Sequence, residues 1–187
     1  MRNLELKARY ADLAHAEQIA QDIGATFGGD LRQLDTYFNV PRGRLKLREF
    51  LPALRSGGGP GAETELIYYA RLEDSATRWS DYFTAHVAEA SVMRNVLTHV
   101  LGIRCQIEKS RRLYLYRGAR IHLDRVMQLG TFIEFEVPLA PLSDLPRDAG
   151  EATRAHEVMR ELMRVYGLND EDAIKASYSE MIEERLQ

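Results

Sequence analysis

Cysteine is nearly absent: Cys105 stands alone among 187 residues, which excludes an intrachain disulfide and a cysteine-rich zinc cluster. No run of about 18 apolar residues occurs, so no helical membrane span is written in the chain. The opening MRNLELKARYADL has no apolar core of the kind that directs secretion, and the compartment expected is the cytoplasm. A large charge excess is missing too. The formal net charge is -3, from 28 acidic and 25 basic residues, which argues against a general nucleic-acid binder or an anionic-membrane binder; any anion site has to be concentrated locally. The one glycine-rich stretch, RSGGGPGAE, lacks Gly-Lys-Ser/Thr and opens no helix, so it is read as a turn or hairpin loop and not as a phosphate-binding loop. What remains is ordinary globular composition, 45% hydrophobic and 28% charged, long enough to bury a sizeable core.

The order of patterns is strand, helix, several strands, long helix, several strands, two helices. Residues 3–9 alternate strictly, with Asn3, Glu5 and Lys7 against Leu4, Leu6 and Ala8. Asp12 caps a helix expected over 12–23, which Gly24 ends. Strands are expected over 31–40, 43–51 and 64–73. The stretch 80–101 is read as one helix with Trp79 at its entry and Gly102 as its stop. Residues 103–118 suggest two strands or one bent strand, and 119–129 and 130–140 two more. Helices are expected over 151–167 and 169–186, packed on the sheet. Two blocks rich in hairpins favour one antiparallel sheet assembled from both halves, open or closed into a barrel, over repeated parallel crossovers. The chain is read as one domain over 1–187.

Every main strand carries one aliphatic and one charged face. Arg44, Lys46 and Arg48 share a face in GRLKLRE, as do Lys109 and Arg111 in EKSR, Arg120, His122 and Asp124 in RIHLD, and Glu134 and Glu136 in FIEFEV; Arg71 ends the strand of Tyr69 on the same parity. Two readings fit. The charged faces lie in water, or they line the lumen of a closed barrel of about eight strands, a size that holds one small ligand. Segregation of sign by strand favours the lumen, because a solvated face usually mixes signs. Unpaired charges there would cost several kcal/mol each, so such a lumen is wet or holds a ligand of matching charge. Cations suit phosphate oxygens, and Glu5, Asp124, Glu134 and Glu136 offer hard oxygen donors to Mg²⁺ or Mn²⁺.

LELK, LDTYF, GRLKLRE, LIYYAR, EKSRRLY, IHLDRVMQLGTFIEFEV and SYSEMI, in this order along nearly the whole chain, resemble the CYTH family of triphosphate tunnel metalloenzymes, in particular its class IV adenylyl-cyclase-like branch. The resemblance implies an α+β fold, an eight-stranded antiparallel β-barrel with flanking helices, in which basic residues bind a triphosphate and acidic ones hold one or two divalent ions. It implies triphosphate contacts from Arg44, Lys46, Arg48, Arg71, Lys109 and Arg111, catalytic roles for Lys7, Lys109 and Arg111, and Mg²⁺ or Mn²⁺ on Glu5, Asp124, Glu134 and Glu136. The implied substrates are ATP, thiamine triphosphate or tripolyphosphate, with no nucleic acid and no membrane; a homodimer is left open. The implied reactions are cyclisation of ATP to cyclic AMP and pyrophosphate, or phosphoanhydride hydrolysis. The family's Glu-x-Glu-x-Lys signature reads Asn3, Glu5, Lys7 here. Its first glutamate is replaced by an amide, a weaker donor to a hard cation, which motivates the alternative of a non-catalytic triphosphate binder. A plain interaction domain with a solvated charged face is the third reading.

The remaining residues read as structural. His15, His86, His99 and His156 are expected on helices without a second ligand at metal spacing, and His122 as a hydrogen-bond partner with lumen parity. Cys105 reads as a small core residue.

Overall fold

The computed structural model describes residues 2–52, 63–71, 78–139 and 149–186, and of Ala70, Arg71, Arg78, Ala149 and Leu186 the backbone alone. The glycine-rich stretch 56–61 lies outside the described residues. Eight strands close into one barrel in the order β1-β5-β4-β3-β2-β6-β7-β8. They are β1 (Arg2–Arg9), β2 (Thr26–Phe38), β3 (Arg44–Leu51), β4 (Thr64–Arg71), β5 (Arg78–Val87), β6 (Ile103–Tyr116), β7 (Ala119–Val126) and β8 (Gly130–Leu139). Each neighbouring pair is antiparallel. Helices are α1 (Leu13–Asp22), α2 (Ala90–Leu101), α3 (Ala149–Val165) and α4 (Tyr178–Leu186). Among the described residues no helix is long and apolar enough to cross a membrane.

The two-faced strands settle which side is which. Leu4, Leu6 and Ala8 of β1, Ile121 and Leu123 of β7, and Ile133, Phe135 and Val137 of β8 form one cluster with Ala16 and Ala20 of α1 and Val158, Met159 and Leu162 of α3. The aliphatic face therefore points out of the barrel and is covered by helices, each fully buried Leu or Ile contributing about 1.5–3 kcal/mol. The charged face is left to point inward. A second cluster, including Tyr37, Ile107, Val126 and Phe132 with Tyr178 and Ile182 of α4, closes one end of the lumen.

Among the described residues the ring has one short seam: strand β1 pairs with β8 from Arg2 to Arg9 and with β5 from Arg2 to Glu5. The backbone groups of Lys7 and Ala8 on that edge of β1 take other partners. The C-terminal segment supplies them: Ala173 bridges to Ala8, and the Ile174 N–H donates to the Lys7 carbonyl at 2.7 Å.

That seam explains one departure from the sequence pattern. Residues 169–186 are not one helix. Asn169 and Asp172 cap each other around a single 3₁₀ turn (Asp170–Asp172), the chain then runs extended along β1, and Ser177 starts α4. Glu180 accepts the Ser177 N–H at 2.6 Å while the Ser177 hydroxyl accepts the Glu180 N–H at 3.3 Å, a capping box legible as Ser-x-x-Glu.

The stretch 80–101 is likewise not one helix. Its first part is β5 and only Ala90–Leu101 is helical. In β5 the lumen side carries Ser80, Tyr82, Thr84 and His86, while Phe83 on the other side is 69% exposed. Neither face is simply apolar, so alternation of hydrophobicity gave no strand signal. Trp79 consequently sits on β5, edge-on to His156 of α3 at 5.4 Å, and His86 is a strand residue. The stretch 103–118 holds one strand, β6, which ends at Tyr116 and is joined to β7 by a two-residue turn in which Arg117 and Gly118 have φ of 49° and 82°, the positive pair that a tight hairpin requires.

Candidate functional site

The lumen forms a cavity of about 320 Å³. Register decides what meets inside it. Asp35 of β2 lies opposite Arg48 of β3, and on its other side Gln33, two residues back on the same strand, lies opposite Lys109 of β6. The Asp35 carboxylate is 1% exposed and accepts from Arg48 Nε at 2.8 Å and Nη2 at 3.0 Å, Lys46 Nζ at 3.0 Å and Lys109 Nζ at 2.9 Å. Burial raises a carboxyl pKa, but the charges of Arg48, Lys109 and Lys46 outweigh it and hold Asp35 well below the usual range. Three cations thus share one anion and retain a surplus of positive charge. Lys46 feels this: burial and Arg48 lower it to about 7, against the opposing pull of Asp35. Burial also lowers Lys109.

Arg111, two residues along β6, faces Asp124 of β7. Its Nε and Nη2 donate to Asp124 Oδ1 and Oδ2 at 2.7 and 2.6 Å, and Nη2 also reaches Glu134 Oε2 at 2.7 Å. The Tyr178 hydroxyl donates to Asp124 Oδ2 at 3.0 Å.

The acidic wall is built where β1, β8 and β7 run side by side. Glu5 lies opposite Glu136 and Lys7 opposite Glu134 in the β1–β8 register; across β8, Arg120 and His122 of β7 lie opposite the same two acids. Burial raises Glu134, while His122, Arg111 and Lys7 hold it well below the usual carboxylate range. Arg120 Nη1 stands 3.3 Å from Glu136 Oε2. Lys7 Nζ donates to the Ala176 carbonyl at 2.8 Å and lies 4.4 Å from the Tyr178 ring centroid, so the C-terminal segment that seals the barrel also orients this lysine.

Glu5, Lys7, Lys46, Arg48, Lys109, Arg111, Glu134 and Glu136 therefore line one cavity. Two expected site residues, Asp124 and Arg44, are placed otherwise, and the side chain of a third, Arg71, is not described. Asp124 is 0% exposed and both its oxygens are engaged by Arg111; it anchors that guanidinium and does not face the cavity. Arg44 pairs with Glu180 of α4 and lies over the Tyr69 ring at 5.8 Å, fastening α4 across the lumen end. Arg71 is the last residue of β4, its backbone opposite Ser80; its side chain lies outside the described residues.

Sequence reasoning missed Asp35. It stands in LDTYF between residues of mixed character, and its partners are 11, 13 and 74 positions away, so only strand register reveals it. His122 had the right parity but no visible partner. In the barrel its Nδ1 lies 3.5 Å from Glu134 Oε2 and 3.7 Å from Glu136 Oε1. Asn3 also lines the cavity, 4% exposed, with no hydrogen-bond partner for its Oδ1 among the described residues.

No curated protein matches this sequence. Solved structures do match its fold. The PH1012 protein from Pyrococcus horikoshii is 19% identical with a TM-score of 0.77, over 95% of this chain and 98% of its own. A candidate adenylate cyclase from Vibrio parahaemolyticus is 18% identical with a TM-score of 0.73, over 97% of each chain. A candidate adenylyl cyclase from Hippeastrum with a dominant triphosphatase activity is 11% identical with a TM-score of 0.61, over 98% of this chain and 95% of its own. The residue pattern of the CYTH domain matches positions 1–178, a span that takes in all eight strands and the C-terminal segment as far as Tyr178, and the chain belongs to the CYTH domain family.

Proposed function

We propose that this chain binds a triphosphate in the barrel lumen and breaks one of its phosphoanhydride bonds with the help of a divalent cation. The observation that carries the reading is the cluster of Lys46, Arg48 and Lys109 on the single carboxylate of Asp35, beside Arg111 and facing an acidic wall. A buried surplus of positive charge is costly without an anion of high charge to match it. Arg48 and Arg111 are pre-oriented by their acids, so they would position phosphate oxygens at little further entropic cost.

The acidic wall fits a divalent cation. His122, Glu134 and Glu136 place one donor atom each within 4.8 Å of one another, and Glu5 lies opposite Glu136 in register. Glu5, Glu134 and Glu136 would hold Mg²⁺ or Mn²⁺, which when bound neutralises charge on phosphate oxygens. Lys7, held by the Ala176 carbonyl beside Tyr178, would orient a phosphate oxygen or the attacking oxygen. Lys109 and Arg111 would stabilise charge that grows as the bond breaks. With water attacking the terminal phosphorus the enzyme is a triphosphatase; with a ribose 3′ hydroxyl attacking the α-phosphorus it is an adenylyl cyclase that releases pyrophosphate. Both draw on the same charges. The second reading, a triphosphate binder without turnover, is supported by Asn3, whose neutral oxygen stands where the family signature has a carboxylate.

Incubation with ATP, thiamine triphosphate and tripolyphosphate, each with Mg²⁺ or Mn²⁺, followed by separation of products, decides among them: cyclic AMP with pyrophosphate, released phosphate, or no product with calorimetric binding retained. Absence of both turnover and binding would overturn the reading. An Arg48→Ala change should weaken triphosphate binding, and a Glu134→Ala change should remove the metal dependence.

A further inference from the structure

Among the donors of the acidic wall one is not an oxygen. His122 is 4% exposed, and its Nδ1 makes no hydrogen bond of good geometry among the described residues, only a long contact of 3.5 Å to Glu134 Oε2. A buried polar nitrogen left unsatisfied costs about 1–3 kcal/mol and calls for an explanation such as an ion or water. Its surroundings point to an ion. Nδ1 lies between Glu134 Oε2 at 3.5 Å and Glu136 Oε1 at 3.7 Å, and the three residues offer donors all within 4.8 Å of one another. Metal bonds of about 2.0–2.2 Å place adjacent donors about 3–4 Å apart, so small side-chain adjustments bring this set around one ion.

The two carboxylates are already held by guanidinium groups. Arg111 Nη2 holds Glu134 at 2.7 Å through the same Oε2 that faces His122, and Arg120 Nη1 stands at 3.3 Å from Glu136 Oε2, behind the Oε1 that faces His122. Such outer contacts orient metal-binding groups and limit their rotation. Neighbouring strands β7 and β8 supply all three donors, and His122 lies directly opposite Glu134.

We propose that His122 Nδ1 is a metal ligand, joining Glu134 and Glu136 in a nitrogen-plus-carboxylate site that prefers a borderline transition ion, Mn²⁺, Co²⁺ or Zn²⁺, to Mg²⁺. This rests on the reading of the acidic wall as a cation site and deepens it. Imidazole suits transition ions, whereas Mg²⁺ favours carboxylate, carbonyl and water oxygens. Asn3 acts in the same direction, because the family signature has a glutamate there, a hard anionic donor that this lumen lacks.

The test uses the full chain freed of metal by a chelator, without triphosphate. Calorimetry with Co²⁺, Mn²⁺ and Mg²⁺ should show Co²⁺ binding at least about tenfold more tightly than Mg²⁺. Pulsed electron paramagnetic resonance of the Mn²⁺-loaded protein should show coupling to a directly bound ¹⁴N nucleus. His122→Asn, with His122→Gln as a second variant, should remove that coupling and lower Co²⁺ affinity about tenfold while leaving Mg²⁺ affinity within about twofold. Wild-type protein that binds Mn²⁺ without nitrogen coupling, or binds Mg²⁺ as tightly as Co²⁺, overturns the proposal whether or not the variants fold. Persistence of the coupling in both folded variants overturns it as well. Glu134→Gln separates the two levels of the argument. If that change abolishes binding of all three ions while the His122 variants alter nothing, the acidic-wall reading stands and the histidine ligand falls; if it alters nothing, the cation site itself is misplaced.

Discussion

Asp35 on β2 sits directly across from Arg48 on β3, and its two oxygens accept both Nε and Nη2 of that guanidinium at 2.8 and 3.0 Å. The same carboxylate also receives Lys46 and Lys109, so one buried acid organises the basic side of the lumen.

Asp35→Asn should be strongly destabilising, because it strands three buried cations. Removing one partner of a buried ion pair costs about 3–5 kcal/mol, read as a fall in the urea midpoint. Tripolyphosphate should restore part of the loss by replacing the missing negative charge. A variant as stable as the parent would show that water already screens the cluster.

Lys46 ties ligand binding to protons. Its pKa in the folded protein is lowered to about 7 from 10.5, so between those values the folded chain binds fewer protons than the unfolded chain. This group's destabilising contribution is therefore full below about pH 7 and is relieved as pH rises toward 10.5. A bound polyphosphate pulls the pKa back up, so at pH 8 binding should take up protons. Calorimetry of tripolyphosphate binding in buffers of different ionisation enthalpy measures the number, and Lys46→Met should lower it. Equal uptake in both proteins would assign the protons elsewhere.

Tyr178→Phe should cost about 1.5–3 kcal/mol, since it deletes a hydrogen bond to the buried, charged Asp124. The loss should appear in urea unfolding. A change below about 0.5 kcal/mol, the ordinary range for surface substitutions, would mean that Arg111 alone satisfies Asp124.

Asn3→Glu should make stability depend on metal. A carboxylate at a position 4% exposed carries a desolvation cost unless a cation meets it. The variant should melt several degrees below the parent in chelator, at about 2–4 °C per kcal/mol for a chain of this size, and should gain more than the parent on adding Mg²⁺. Equal gains in both proteins would place the cation out of reach of position 3.

Much of the architecture was open to inspection in the letters. The strict alternation of Leu4, Leu6 and Ala8 against Glu5 and Lys7, and its repetition in GRLKLRE and FIEFEV, marks two-faced strands because successive side chains point to opposite sides of a sheet. The helix from Asp12 and the late strands follow their patterns closely. The pattern failed at 80–87, where the lumen side is aromatic and polar and Phe83 stays exposed, and at 169–177, where pairing with the edge of β1 overrides helical spacing.

Individual roles were less legible than the faces that carry them. Arg44, Lys46 and Arg48 look equivalent in sequence, yet Arg44 fastens α4 while the other two meet Asp35. Asp124 and Glu134 look like equivalent acids, yet Asp124 is engaged by Arg111 and Tyr178 whereas Glu134 borders the cavity.

The chain's own letters determined that its strands would have an aliphatic and a charged face, because alternation is a local property of extended backbone. Only the closed barrel decided which charges meet. Partnership across strands depends on register between residues up to 74 positions apart for Asp35 and Lys109, and nothing local in a sequence encodes which acid will stand opposite which base.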